Sequence, residues 1–286
     1  MEFKRNLKRY MIGDDVLAVK NRLKEMGYLT RVSHSLYGND TFKAVKTFQN
    51  ANNLESDGIV GRLTWSALFD EPSPVVPVEI PAHISKAKAT AIATDLACVS
   101  DVRRDICLMA LQYAVDPDAH GDTMRCFYVR GGNLFNTDLS LNVMTEAKLK
   151  KYFAKASYAP YYDGGRKELI QKMAIDSGYT IGGADCSGTV VGLWRKAKVV
   201  KTGFDANANG LYNSYCTDTK NPIAGDLAWR SGHIGIYVGG GYVVENIGGE
   251  FGCQITAKAN RKCWSYRDKK YHTMGKWSAF GDPKVY

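Results

Sequence analysis

The chain has 286 residues, 45% of them hydrophobic, which is enough for two ordinary globular cores and excludes a disordered polymer. Its formal charge of +9 at pH 7 implies attraction to anionic polymers, with nucleic acid, acidic membranes and phosphate-rich bacterial wall polymers all qualifying. Seven cysteines, at 98, 107, 126, 186, 216, 253 and 263, are odd in number and lack paired C-x-x-C spacing, which argues against a zinc site or a dense disulfide framework and for folding in a reducing cytosol.

No run approaches the ~18 apolar residues that a membrane helix requires, and Met1 to Tyr10 is basic without the apolar segment of a secretory signal. The expectation is a soluble chain that does not export itself. Val16, Val19, Leu23 and Met26 recur at helical spacing, with Gly27 where the helix should end. A second helix is expected from Asp40 to Asn52, carrying Val45 and Phe48. Gly38-x-x-Thr41-x-x-Ala44-Val45 returns twenty-three residues later as Gly61-x-x-Thr64-x-x-Ala67-Leu68. In each copy glycine is expected to supply a turn at positive φ, threonine to cap a helix, and the Ala-apolar pair to face inward.

These residues carry a first resemblance. Val16, Leu23, Gly27-Tyr28, Tyr37-Gly38, Thr41, Ala44-Val45, Phe48-Gln49, Leu54, Asp57-Gly58, Val60-Gly61 and Thr64-Trp65 together resemble the three-helix peptidoglycan-binding domain found beside many wall hydrolases. One departure is Ser35-Leu36-Tyr37, where the first Asp-Gly turn often sits. The resemblance implies that residues 1–70 bind bacterial peptidoglycan, without naming the contacts. Pro72, Pro74, Pro77 and Pro81 then favour extended backbone, so residues 71–85 are expected to be a linker.

Beyond the linker, Ile106 to Tyr113 and Arg166 to Ala174 have helical periodicity, and residues 86–165 contain more chain than a minimal domain needs, an extra subdomain or insertion. Asp185-Cys186-Ser187-Gly188 follows Gly182-Gly183 and precedes Val190, Val191, Leu193 and Trp194, spaced for a helix with one buried face. Cys186 therefore starts a helix, where unpaired amides and the helix dipole are expected to lower its pKa toward the attacking thiolate. Asp205-Ala206-Asn207-Ala208-Asn209-Gly210 has the opening spacing of a calcium loop, but its twelfth position is Cys216 and not glutamate, so a plain turn is favoured and no metal or cofactor is called for.

Of the five histidines, His34 lies in the small domain, His83 beside the linker, His120 in a turn and His272 in a basic aromatic tail. His233 opens a strand in which Ile234, Ile236 and Val238 alternate with His233, Gly235 and Tyr237, one face core and one face open. Gly235 leaves room for a group to approach beside the histidine. Gly239 to Gly241 turns into Tyr242-Val243-Val244-Glu245-Asn246, so the return strand supplies the group that orients His233. An odd-length turn pairs Val238 with Tyr242 and sets Glu245 opposite Gly235, whereas an even-length turn sets Asn246 there. Glu245 is favoured and Asn246 is the alternative.

Asp-Cys-Ser-Gly, then Gly225-Asp226-Leu227, then Gly232-His233-Ile234-Gly235-Ile236-Tyr237-Val238-Gly239 resemble, in this order and distance, the NlpC-type cysteine peptidases. The resemblance implies an α+β fold with a papain-like core, a helix packed on an antiparallel sheet over residues 86–286, behind the small all-α domain. It implies Cys186 as nucleophile, His233 as base and a third catalytic residue twelve positions on, at Glu245, where the family more often has His, Asn or Gln. Glutamate there is similar to the related CHAP amidases. Asp185 and Ser187 match positions that receive the free amine of a stem peptide, and Asp185 also suits a helix cap. The family's cleft-shaping Tyr-x-x-Gly-Gly has two matches, Tyr128 to Gly132 and Tyr179 to Gly183, with Tyr179 favoured on distance to Cys186. The expected activity is hydrolysis of the D-glutamyl-diamino acid bond of the stem peptide; the alternatives are an N-acetylmuramoyl-L-alanine amidase and an idle wall-binding protein. A nucleic-acid-binding role rests on charge alone, with no reading module. Without an export signal, a phage or prophage endolysin that waits in the cytoplasm for the wall to become accessible is the expected setting.

Overall fold

The computed structural model describes residues 3–52, 54–69, 77–120, 124–176 and 180–286. Of the proline-rich segment, residues 71–76 lie outside them. The chain divides into two compact units, Met1–Pro77 with Ala97–Ser100, and Val78–Leu96 with Asp101–Tyr286.

The first unit contains three helices, α1 (Asp14–Glu25), α2 (Asn39–Ala51) and α3 (Arg62–Phe69). Val16, Val19 and Leu23 of α1 meet Ala44, Val45 and Phe48 of α2 and Trp65 and Leu68 of α3 in a single core, as residues spaced at one helical stripe must. Met26, expected on that stripe, is 38% exposed, because α1 stops at Glu25 and Gly27 turns away at φ 80°.

The repeated glycines and threonines work differently from expectation. Neither Gly38 nor Gly61 has a positive φ; Gly38 is the N-cap of α2 at φ −86°. With α2 starting at Asn39, Thr41 is already inside the helix and buried. The Thr64 hydroxyl accepts a hydrogen bond from the Gln49 amide at 3.1 Å, so it serves the core and not a cap. Gln49, 1% exposed, organises this region: its Nε2 also donates to Asp57 Oδ1 and to the Ile59 carbonyl, both at 2.9 Å, and its Oε1 accepts from Gly58 N at 2.8 Å. Tyr37 adds a hydroxyl bond to the Gly58 carbonyl at 2.9 Å. Gln49, Asp57, Thr64 and Tyr37 thus form a network that ties the 57–59 turn to α2.

The second unit is α+β. In chain order it has α4 (Lys86–Leu96), α5 (Asp101–Tyr113), α6 (Pro117–His120), β1 (Cys126–Tyr128), α7 (Glu146–Phe153), a 3-10 turn (Ala156–Tyr158), α8 (Ala159–Tyr162), α9 (Arg166–Asp176), β2 (Gly182–Ala184), α10 (Cys186–Lys196), α11 (Ala208–Tyr215), β3 (Cys216–Thr219), β4 (Leu227–Arg230), β5 (His233–Gly239), β6 (Tyr242–Ile247), β7 (Gly252–Ala257), β8 (Lys262–Ser265), β9 (Lys270–Thr273) and β10 (Ala279–Pro283). Six strands form an antiparallel sheet in the order β3-β10-β4-β5-β6-β7, and β1 pairs in parallel with β2. Helices α4, α5 and α10 all pack on β5.

Burial runs deeper than periodicity implies. Every residue of β5 after His233 is buried, Gly235 and Tyr237 included, because Tyr237, Val243 and Ala228 cluster with Trp277 and Phe280 on the face expected to be open. α10 is buried almost all round, from Gly188 to Arg195, and not on one face. Its second wall is the segment after β1: a Cβ on Gly188 would stand 1.9 Å from the Gly132 carbonyl oxygen, and one on Gly192 would stand 2.7 Å from Phe135 N. Two glycines four apart thus open a groove along the helix, and the chain at 132–135 lies in it, with Leu134 N donating to the Gly188 carbonyl at 3.0 Å. Of residues 86–165, α4 and α5 lie on the sheet, whereas α7 and α8, inserted together with the following α9 between β1 and β2, pack Leu149, Tyr162 and Ile170 into a separate core with Ile181 and Tyr266.

Replacing Gln49 by Leu is expected to leave the Gly58 amide and the Asp57, Ile59 and Thr64 groups short of a partner, at about 1–3 kcal/mol for each that stays buried. Hydrogen exchange of the full chain checks this: amides of α1 to α3 lose protection while those of β5 and β6 keep theirs.

Candidate active site

Cys186 is the first residue of α10, and Asp185 is its N-cap. The Asp185 carboxylate accepts Gly188 N at 2.7 Å and the Ser187 hydroxyl at 2.9 Å on Oδ1, and Gly131 N at 2.8 Å on Oδ2. That fixes both the helix start and the glycine turn after β1. The sulfur, in a residue only 6% exposed, donates to the Gly232 carbonyl at 4.0 Å and accepts from the Ile234 amide. It therefore rests against the backbone on either side of His233.

Burial pushes the Cys186 thiol up to about 11, and the Asp185 carboxylate pushes the same way; the amides of Ile234, Ser187 and Cys186 itself pull down but lose. The expected lowering by the helix start does not prevail, because desolvation of a thiolate without a cationic partner outweighs a partial dipole charge. At rest Cys186 is therefore a neutral thiol.

His233 Nε2 meets Glu245 Oε2 at 2.7 Å, leaving Nδ1 as the ring's second site for a proton. The register behind this contact differs from the expected one. Gly239, not Val238, pairs with Tyr242, so the turn itself is the even-length Gly240-Gly241. A bulge between Tyr237 and Gly239 then restores the frame, and Glu245 falls opposite Gly235. A Cβ on Gly235 would stand 2.7 Å from Val243 Cγ1 and 3.1 Å from Glu245 Cβ, so this glycine is what lets the return strand close up beside the histidine. Asn246 points to the other face: its Nδ2 donates to the Ala184 carbonyl at 2.8 Å and the Phe127 carbonyl at 3.3 Å, tying β6 to the β1–β2 pair.

Three residues around this pair carry no local signal in the sequence. Arg261 Nε donates to Glu245 Oε1 at 2.7 Å and its Nη2 to Oε2; Thr256 donates its hydroxyl to Oε1. Trp277 stacks on the His233 ring with centroids 5.5 Å apart and planes 10° apart. They follow the histidine by 23 to 44 residues at no motif spacing, and folding alone collects them. Burial works against the Glu245 charge, but the bonds from His233 and Arg261 prevail and hold the carboxyl well below its usual range, at about 2.

Of the two tyrosines expected to shape a cleft, Tyr128 lies in the β1 strand beside β2 and is close enough to Cys186 and Asp185 for their charges to push its hydroxyl upward, behind the larger effect of burial. The Gly131-Gly132 turn that follows it is the one bound to Asp185. Tyr179, favoured on chain distance, lies outside the described residues. The physical reason Tyr128 reaches the site is the parallel pairing of β1 with β2, which chain distance does not reveal. Asp185 and Ser187 line a cleft of about 280 Å³ with Asn133, Asp205 and Asn207. The side chains of the calcium-like loop are spent separately: Asn207 caps α11 through Gly210 N, and Asn209 Oδ1 accepts Gly232 N at 2.9 Å and Trp229 Nε1 at 3.1 Å. Asn209 thus holds the peptide next to His233.

Residues 12–68 match the family model of a peptidoglycan binding domain, which spans α1 to α3. The N-terminal unit is a peptidoglycan-binding domain, and among the described residues no helix is long and apolar enough to cross a membrane.

Iodoacetamide labelling followed by peptide mass spectrometry is expected to modify Cys186 slowly at pH 7 and progressively faster toward pH 11, whereas a preformed thiolate would label fast and flat from neutrality. A carboxyl held below its unfolded value stabilises the fold above that value and loses this contribution as pH falls. The melting-temperature gap between the native chain and Glu245→Gln should therefore be full above about pH 4.5 and close as pH falls toward about 2.

Proposed function

We propose that the chain is a peptidoglycan hydrolase in which a papain-like cysteine peptidase unit cuts an amide of the stem peptide while the N-terminal domain keeps it on the wall. The observation that carries this reading is the sulfur of Cys186 seated between Gly232 and Ile234, around a histidine whose Nε2 is held by Glu245. The sulfur attacks the amide carbonyl carbon as its proton passes to His233 Nδ1. The C–N bond breaks, the leaving amine takes that proton, and a thioester remains on Cys186. Water, deprotonated by His233, attacks the thioester, and the thiolate leaves and regains the proton. The amide of Cys186 at the helix start stabilises the oxyanion in both halves.

Cutting at the D-glutamyl-diamino acid bond is the preferred specificity: the cleft lined by Asp185 and Ser187, the chain neighbours of Cys186, and by Asp205 suits the free amine of a trimmed stem peptide. Glutamate in the orienting position favours a second reading, an amidase acting between muramic acid and L-alanine. The N-terminal domain raises the local concentration on an insoluble polymer, and the enzyme acts once it gains access to the wall, as an endolysin does.

Cys186→Ala should abolish solubilisation of purified walls, a loss on the order of 10³-fold or more, while the variant still pellets with them. Undiminished release of fragments by the variant overturns the cysteine mechanism. Mass spectrometry of fragments from defined peptidoglycan names the bond: new diamino-acid amino termini mark the peptidase, and peptides freed at L-alanine mark the amidase.

A further inference from the structure

Glu245 does two things at once in this unit, and they conflict. By hydrogen-bonding Nε2 it orients His233, but a bare carboxylate in a buried site also favours the protonated imidazolium, which cannot accept a proton from Cys186. Arg261 stands on the other edge of the same carboxylate. It reaches both oxygens, through Nε to Oε1 at 2.7 Å and through Nη2 to Oε2, and its Nη1 is locked to the Gly275 carbonyl at 2.8 Å. Its guanidinium carbon lies 4.6 Å from the ring centre of Trp277, the indole that stacks on His233. With a side chain 4% exposed, Arg261 faces this cluster and little else.

The remaining charged and titratable groups do not duplicate it. Arg230 of β4 pairs across the strands with His233, α10 brings Asp185 and Cys186, and the segment that carries Trp277 has Lys276, which is exposed. Around Glu245 itself, β7 brings Cys253 and β8 brings Cys263, and the carboxylate adds to the burial that keeps both as neutral thiols. Among the described residues Arg261 is the one permanent cation bonded to Glu245.

We infer that Arg261 is a positioning residue for the reaction proposed above: by a bidentate bond it holds the Glu245 carboxylate in place and offsets its charge, so that Glu245 orients His233 without drawing an added proton onto the ring. The inference rests on the reading of His233 as the base. A two-pronged guanidinium suits this better than a point charge, because one plane fixes both carboxylate oxygens and the same group packs on Trp277.

The test is the titration of the His233 ring, followed by NMR in full-length chain carrying Cys186→Ala, with and without Arg261→Gln or Arg261→Lys. Removing the charge should raise the His233 midpoint by about one pH unit, a tenfold gain in proton affinity, and Arg261→Lys, which keeps the charge, should recover at least half of that shift. In the chain with Cys186 intact, Arg261→Gln should move the acidic limb of kcat/KM for wall solubilisation in the same direction and lower kcat at least tenfold, with KM within twofold. An unmoved His233 midpoint in folded Arg261→Gln overturns the inference. Should that variant not fold, Arg261→Lys decides: a kcat loss at constant KM with the midpoint within about 0.5 unit supports the inference, and unchanged kcat overturns it. Wall solubilisation that survives Cys186→Ala overturns the functional reading instead, whatever the His233 midpoint does.

Discussion

An ionised carboxylate in the middle of a sheet, 1% exposed, is the constraint around which the second unit is arranged. Leaving Glu245 there without partners would cost several kcal/mol of desolvation. Its compensation comes from three directions: His233 from the neighbouring strand, Thr256 from the strand on the other side, and Arg261 from the turn beyond it. His233 comes from the strand before β6, Thr256 and Arg261 from the chain after it, and that later chain also brings Trp277 onto the imidazole. The glycine at 235 and the bulge at Val238 belong to the same arrangement, since one makes the room and the other sets the frame.

Cys186 is placed by a different device. Gly188 and Gly192 let the chain at 132–135 lie directly against α10, and Asp185 binds the turn at Gly131, so the helix start cannot shift without moving that segment. Such packing buries the sulfur, and burial opposes ionisation. The result is a neutral thiol whose sulfur lies against the backbone on either side of His233.

In the first unit the organising group is also polar and also buried. The Gln49 amide links α2 to the 57–59 turn and to Thr64 of α3, and the apolar stripe of the helices closes around it. A domain this small has little core to spare, and a fully satisfied amide confers uniqueness on packing that apolar contacts alone leave loose. That is why its pattern in the sequence is long but dispersed: the matching positions combine the apolar stripe of the helices with members of the Gln49 network.

Much of both units is readable from the sequence alone. Helical spacing places α1, α2 and α10, alternation places β5, and the glycine turn places β6, because these depend on local periodicity and on steric rules that act within a few residues. Cys186 and His233 stand out for the same reason: each begins an element. The partner of the histidine is legible as a choice between two adjacent residues; the turn forms with even length and not odd, and a bulge gives the register that sets Glu245 opposite Gly235. What only the tertiary structure decided is whatever depends on chain segments far apart in sequence: the pairing of β1 with β2 that brings Tyr128 to Cys186, the second face of β5 covered by Trp277 and Phe280, the thiol raised by burial, and the closure of Arg261 on Glu245. Solvent exclusion and charge compensation are set by what surrounds a group on all sides, and no spacing along the chain encodes that directly.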